Sequence, residues 1–195
     1  MVDPILQAPP PRYSRNVRLN IALSAVLAAI SIGCADAGPP LNFAEDMPDD
    51  LRQLADETWV DFLEANPARL DCIEPVTLEA AWELDNRAEY RPTSRTLAVR
   101  VPGTPATLRS ELIHEFAHHL EFTCSDQTEL RAAFLHAQGF PPETEWFGGA
   151  TWETTPSEQY AEATVEVVTG RRAHTGGILL TPEAVEVVRQ WGEGS

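Results

Sequence analysis

The segment from Thr104 to Phe122 restricts the fold more than any other part of this 195-residue chain, because it predicts one long, two-faced helix. Thr104 can cap the helix, and Pro105 suits its first turn. His114 and His118 are four residues apart, so they lie about 40° apart on one helix face. The opposite face must be buried, since it carries Leu112, Ile113, Phe116, Ala117 and Leu120.

The two histidines belong to the pattern His-Glu-x-x-His, which here spans residues 114–118. Two imidazoles one turn apart can reach the same metal ion. Glu115 lies about 100° from His114 around the helix, so it can contact a metal-bound water without ligating the metal. The sequence therefore predicts a zinc site with Glu115 as general base. The alternative is a pair of surface histidines on an amphipathic helix.

A catalytic zinc usually has three protein ligands and one open position, so a third ligand is needed. The metzincin extension of the motif is excluded, because Glu121 and Cys124 stand where that class has Gly and His. No Gly-Thr-x-x-x-Asp of the aspzincin kind occurs. The best candidate for the third ligand is Glu158, which begins Glu158-Gln159-Tyr160-Ala161-Glu162 on a predicted downstream helix.

With these two motifs the chain resembles the gluzincins, the thermolysin-like clan of zinc peptidases. The Glu-x-x-Ala-Glu form is similar to that of compact gluzincins and lethal-factor-type peptidases. The resemblance covers roughly residues 105–170. It implies that Glu158 ligates zinc and that Glu162 supports a ligating histidine. Alternative assignments remain open: reversed roles of Glu158 and Glu162, Glu153 or His174 as ligand, or two solvated charges.

The spacing of the two carboxylates supports that division of roles. Glu158 and Glu162 share a helix face. A carboxylate that accepts the free N–H of a ligating histidine fixes its tautomer and orientation. Many gluzincins also place a Tyr or His near the zinc to stabilise the oxyanion, and no residue here is assigned to that part. The open candidates are His119, Trp152, Arg171 and His174.

The first 34 residues predict a signal peptide. Three arginines precede an apolar run, residues 19–32, that is short for a membrane span. Gly33-Cys34 resembles the end of a bacterial lipobox, although Ser31 replaces the usual Leu. This predicts a lipoprotein with a lipid on Cys34. Cleavage after Ala35-Asp36-Ala37, giving a secreted protein, is the alternative, and an uncleaved anchor is another.

Export also bears on the two remaining cysteines. Cys72 and Cys124 form an even pair in an oxidising compartment, which predicts a disulfide bond. The alternative is two buried free thiols.

Secondary-structure signals predict an α+β fold, a helix-dominated zincin-like domain with a small sheet. Residues 35–47 read as a linker, and the domain is expected over residues 48–195. Helical periodicity and caps predict five helices, and alternation or β-branched residues predict two strands. The helices are expected at 48–64, 104–122, 127–138, 155–170 and 181–191, and the strands at 76–84 and 95–101.

The net charge of the chain argues against one class of function. The formal charge is −16, every basic residue is Arg, and nucleic-acid binding is disfavoured because phosphates would be repelled. The resemblance implies an exported zinc metallopeptidase, with a peptide or protein substrate lying on an edge strand near the helix; residues 95–101 precede that helix. We expect a monomer, with no membrane contact except a lipid anchor.

Two alternatives are a non-catalytic zinc-containing binding protein and a zinc hydrolase of a non-peptide amide or ester, such as a cell-wall component.

Overall fold

The structure, a computed structural model, describes residues 38–171 and 177–195. The chain divides into two units, and the second, Asp36–Ser195, contains every element described below. The predicted signal peptide, Cys34 and His174 lie outside the described residues.

The described part of the chain is a helix-dominated α+β fold, as predicted, with five helices and a four-stranded mixed sheet. Thr104 caps the central helix as expected, accepting a hydrogen bond from the Thr107 N–H. Short 3-10 turns cover Pro67–Arg69 and Trp152–Thr154. The main elements are β1 (Leu41–Phe43), α1 (Asp49–Ala65), β2 (Val76–Ala81), β3 (Ala88–Arg91), β4 (Thr96–Arg100), α2 (Pro105–Thr123), α3 (Gln127–Gln138), α4 (Pro156–Thr169) and α5 (Pro182–Glu193).

The sheet order is β1-β2-β4-β3, with β1, β2 and β4 parallel and β3 antiparallel to β4. The sheet differs from the sequence expectations in three respects. Part of the expected linker forms β1, β3 is an additional strand, and β4 is an interior strand. The terminal strand beside α2 is β3. At three and four residues, β1 and β3 are too short to show a clear alternating pattern.

The interior position of β4 also explains its burial. Although its residues alternate in polarity, Leu97, Ala98 and Val99 are all inaccessible to solvent. Ala98 lies between Glu79 on β2 and Glu89 on β3, and Arg91 forms ion pairs with both carboxylates. The polar face of the strand is thus covered by a salt-bridge network, which alternation alone cannot reveal.

Helix α2 occupies the centre of the domain. On its apolar side, Phe116 packs against Trp59 and Phe62 of α1, with ring centroids 4.7 and 5.5 Å apart. Helix α4 packs closely along another side, where Ala117 of α2 and Ala161 of α4 are fully buried. Small side chains at this crossing let the two backbones approach, so groups on α2 and α4 can meet.

A disulfide joins Cys72 to Cys124, as predicted. Cys124 ends α2, so the bridge ties that end of the helix to the turn at Pro67–Arg69. A disulfide is consistent with a location outside the cytoplasm. Within the described ranges, no helix is both long and apolar enough to span a bilayer.

Removing the bridge should lower the free energy of unfolding. The cysteines are 52 residues apart, and closing a loop of that order is expected to stabilise the fold by about 2–4 kcal/mol. We expect the double substitution Cys72→Ser, Cys124→Ser to lose about that amount in urea unfolding. An unchanged midpoint would show that the bridge does not constrain the unfolded chain.

Candidate metal centre

Three side chains from α2 and α4 converge on one point. The Nε2 atoms of His114 and His118 are 3.2 Å apart. Glu158 Oε2 lies 3.0 Å from the first nitrogen and 3.5 Å from the second. These residues form a group that could hold a metal ion, and His114 is 6% exposed. The structure thus brings together the three residues predicted as ligands.

A carboxylate fixes the tautomer of His114. Its Nδ1 lies 3.0 Å from Glu162 Oε1. An ionised carboxylate only accepts hydrogen bonds, so Nδ1 carries a proton, and in the neutral imidazole the lone pair is therefore on Nε2, where a metal ion could bind. Glu162, 5% exposed, therefore lies where the sequence placed the supporting carboxylate.

His118 is supported in the same way by a residue that sequence reasoning missed. Glu121 Oε2 lies 3.0 Å from His118 Nδ1. The same carboxylate accepts hydrogen bonds from the Ser157 hydroxyl, at 2.9 Å, and from the Trp146 indole N–H. The available signal was spacing, because Glu121 follows His118 by three residues and shares its helix face.

When neutral, both imidazoles direct Nε2 lone pairs towards each other and towards the Glu158 carboxylate. Three electron-rich atoms this close repel one another unless protons or a metal ion add positive charge between them. A metal ion supplies that charge, and histidine nitrogen with carboxylate oxygen is a suitable donor set. This chemistry makes the group a fit for a metal centre.

The pKa shifts of His114, His118 and Glu158 also show that this group favours positive charge. Burial lowers the pKa of His114, but hydrogen bonds to Glu158 and Glu162 outweigh it and raise that pKa to about 10. Burial likewise opposes charge on His118, while hydrogen bonds to Glu121 and Glu158 raise its pKa to about 9. Burial would raise the pKa of Glu158, yet hydrogen bonds to both histidines hold it well below its usual range.

Glu115 lies beside the ligands without belonging to their group. It is 6% exposed and lines the same cleft as His114, His118 and Glu158. Burial raises the pKa of its carboxyl above the ordinary value, with the nearby histidines opposing that shift. A carboxylate so placed can accept a proton within the cleft.

The cleft runs between the β3 edge and the histidine face of α2, with a volume of about 610 Å³. Its lining includes Arg87, Ala88 and Tyr90 on the β3 side. Trp152 lines the cleft as well, and its ring stacks on His114 with centroids 5.9 Å apart. Trp152 therefore packs against one face of the His114 ring.

The other predicted candidates have different surroundings. His119 is fully buried, donates from Nε2 to the Glu74 carbonyl and accepts at Nδ1 from the Tyr90 hydroxyl, 2.9 Å away. Burial raises the Tyr90 pKa to about 12, so the phenol stays protonated, with its proton committed to His119. Arg171 is exposed after α4 and does not line the cleft. Glu153 is not part of the ligand group.

Comparisons with protein-family profiles, curated proteins and solved structures gave no match to this chain. Function is therefore inferred from the geometry of the site and from the motifs in the sequence.

Glu121→Gln should weaken metal binding although it touches no metal. The amide keeps the shape of the side chain but presents an N–H group or a neutral oxygen to His118. Loss of an outer carboxylate partner lowers metal affinity about 10- to 100-fold. We expect this loss in a Zn²⁺ titration against a competing chelator. Glu129→Gln, an exposed change on α3, is the matched control; equal affinities for both variants would show that Glu121 only packs.

Proposed function

We propose that this protein is a zinc-dependent metallopeptidase of the gluzincin type. The observation that carries the proposal is the position of Glu115, a buried carboxylate in an accessible cleft beside two histidines and Glu158. A purely structural zinc site has no use for an acceptor there. Hydrolysis by an activated water needs one.

The donor set favours zinc over the common alternatives. Calcium and magnesium prefer oxygen ligands, whereas two imidazoles and one carboxylate are a common set in catalytic zinc sites. Zinc bonds of about 2.0–2.2 Å at tetrahedral angles place ligand atoms roughly 3.3–3.5 Å apart. The three observed separations, 3.0, 3.2 and 3.5 Å, are close to that spacing.

The arrangement also favours Glu158 over Glu162 as the third ligand. Glu158 Oε2 lies near the Nε2 atoms of both histidines. Glu162 Oε1 instead lies 3.0 Å from the other nitrogen of His114. This division of roles matches the gluzincin pattern and supports the resemblance.

In such sites a bound zinc ion polarises the scissile carbonyl and makes a water molecule more acidic. The residues of this chain do the rest. Glu115 takes the proton of the attacking water and later delivers it to the leaving amine. Glu162 and Glu121 keep both imidazoles in the tautomer that leaves Nε2 free. Trp152 covers one face of the His114 ring.

The edge of β3 is suited to hold the substrate backbone. The Arg100 N–H donates to the Arg87 carbonyl at 2.8 Å, so Arg87 faces β4. Alternation in an antiparallel pair then turns the N–H and C=O groups of Ala88 and Tyr90 away from β4. An extended peptide can pair with these groups as an added strand. We expected the strand that binds the substrate backbone near residues 95–101, but the edge strand beside α2 is β3.

Export completes the proposal. The described domain contains a disulfide, and the leader sequence predicts lipidation at Cys34 or cleavage nearby. A lipid-anchored or secreted peptidase acts on peptides outside the cytoplasm.

Zinc content tests the ligand assignment. Residues 35–195 should bind about one zinc per chain, because the donor set can hold one tetrahedral ion. We expect Glu158→Ala to lose the metal, since it removes a ligand, and Glu162→Gln to weaken zinc affinity about 10- to 100-fold. Metal analysis after dialysis measures both, with the exposed Glu83→Gln as control. Full zinc occupancy in Glu158→Ala would overturn the assignment.

Peptide cleavage tests the activity. A peptide library incubated with the zinc-loaded protein should give defined cleavage products by mass spectrometry. Glu115→Gln should keep its zinc yet lose about 10²- to 10⁴-fold in rate, because the proton acceptor is gone. Activity retained in Glu115→Gln would reject the base role. No cleavage by either protein would favour a non-catalytic binding protein or a non-peptide substrate.

A further inference from the structure

Two exposed phenylalanines form a stacked pair beside the cleft. Phe122 is 51% exposed and Phe147 is 55% exposed. Their ring centroids are 5.6 Å apart and their planes are inclined by 17°. We call Phe122 and Phe147 the aromatic platform. Single exposed apolar residues are ordinary, but two stacked rings left half in solvent mark a surface that a ligand can cover.

The platform continues the metal-binding face of α2. Phe122 follows His118 by four residues, so it lies about one turn, roughly 6 Å, further along the same face. Tyr90, which lines the cleft from β3, has its ring centroid 6.0 Å from that of Phe122. The cleft and the platform are therefore adjacent and share Tyr90 as their border.

The ring of Phe147 is held in place by a cation–π contact with Arg131. The guanidinium of Arg131 lies 5.2 Å from the ring centroid of Phe147 and 5.3 Å from that of Trp146. Trp146 is buried and donates to Glu121, the partner of His118. Phe147 is thus attached to a fixed part of the domain, and the platform is formed before any ligand binds.

The direction of β3 indicates which part of a peptide would lie there. Arg87 pairs with Glu111, and Tyr90 lies next to His119 and Phe122, so β3 and α2 run in the same direction. Antiparallel pairing is the more stable of the two kinds of strand pairing, and a peptide that pairs antiparallel to β3 has its N-terminal part at the Tyr90 end. Phe122 lies about 6 Å beyond His118, which corresponds to roughly two residues of extended chain, at 3.3 Å each.

We propose that the aromatic platform is a substrate subsite for a large apolar side chain, preferably aromatic, located about two residues before the scissile bond. This inference rests on the proposed peptidase function and names its substrate class. Two half-exposed rings are too small to form a stable protein interface, which buries about 1,200 Å² or more. They match the area of one aromatic side chain, which stacks well on another ring.

The test compares cleavage preferences of the zinc-loaded wild type, Phe122→Ala and Phe147→Ala. In a peptide library, the wild type should enrich Phe, Tyr, Trp or Leu about two residues before the cut. For matched peptides with Phe or Ala there, kcat/KM should differ about 10- to 100-fold, as expected for burial of one large apolar side chain. Each substitution should lower this ratio towards one by lowering kcat/KM for the Phe peptide more than for the Ala peptide.

Trp82→Ala provides the matched control. Trp82 is 69% exposed, and it lines a separate groove with Leu51 and Leu54. Its removal should leave the Phe-to-Ala ratio at the wild-type value. Phe147→Ala leaves α2 unaltered, so it tests the platform even where Phe122→Ala disturbs the fold.

The two proposals fail in different ways. Cleavage that depends on Glu115 but shows no apolar preference at that position would overturn the subsite and leave the peptidase intact. An apolar preference that survives both platform substitutions would also overturn the subsite alone. Absence of any cleavage that Glu115→Gln abolishes would overturn the peptidase, and the subsite with it.

Discussion

The candidate metal centre depends on the two Nε2 atoms of His114 and His118, which face each other at 3.2 Å on one turn of the buried helix α2. Glu162 and Glu121 bind the far nitrogens of His114 and His118, so in the neutral imidazoles the lone pairs point inward. Positive charge between these lone pairs and Glu158, from protons or from a metal ion, stabilises the group. Helix α4 supplies both Glu158 and Glu162, and its packing against α2 brings the two carboxylates to the imidazoles.

Buried carboxylates are costly, and the structure places each one where it has partners. Glu121 binds His118, Ser157 and Trp146, and thereby connects the metal centre to the loop that carries Trp146 and Phe147. Ser157 also donates its backbone N–H to the Trp146 carbonyl at 3.0 Å. The ligand geometry and the proposed substrate surface are therefore parts of one connected network.

Much of the centre could be predicted from sequence, because its main elements are spacings within single helices. His114, Glu115 and His118 lie on α2, and Glu158 with Glu162 on α4, so helical periodicity gives their shared faces. Predicting that the residues of α2 and α4 meet required the family resemblance, since no local rule fixes how two helices far apart in the sequence cross. Glu121 has the spacing to support His118, but spacing alone does not show that its carboxylate binds the imidazole.

The sheet was harder to predict. The edge strand β3 has four residues, and tertiary pairing rather than its own pattern makes it a strand. For the metal centre itself, X-ray absorption at the zinc edge of the zinc-loaded protein is the sharpest test. We expect four nitrogen or oxygen neighbours at about 2.0–2.2 Å, with the scattering of two imidazoles. One imidazole, or sulfur neighbours at about 2.3 Å, would contradict the assignment of His114, His118 and Glu158 as ligands.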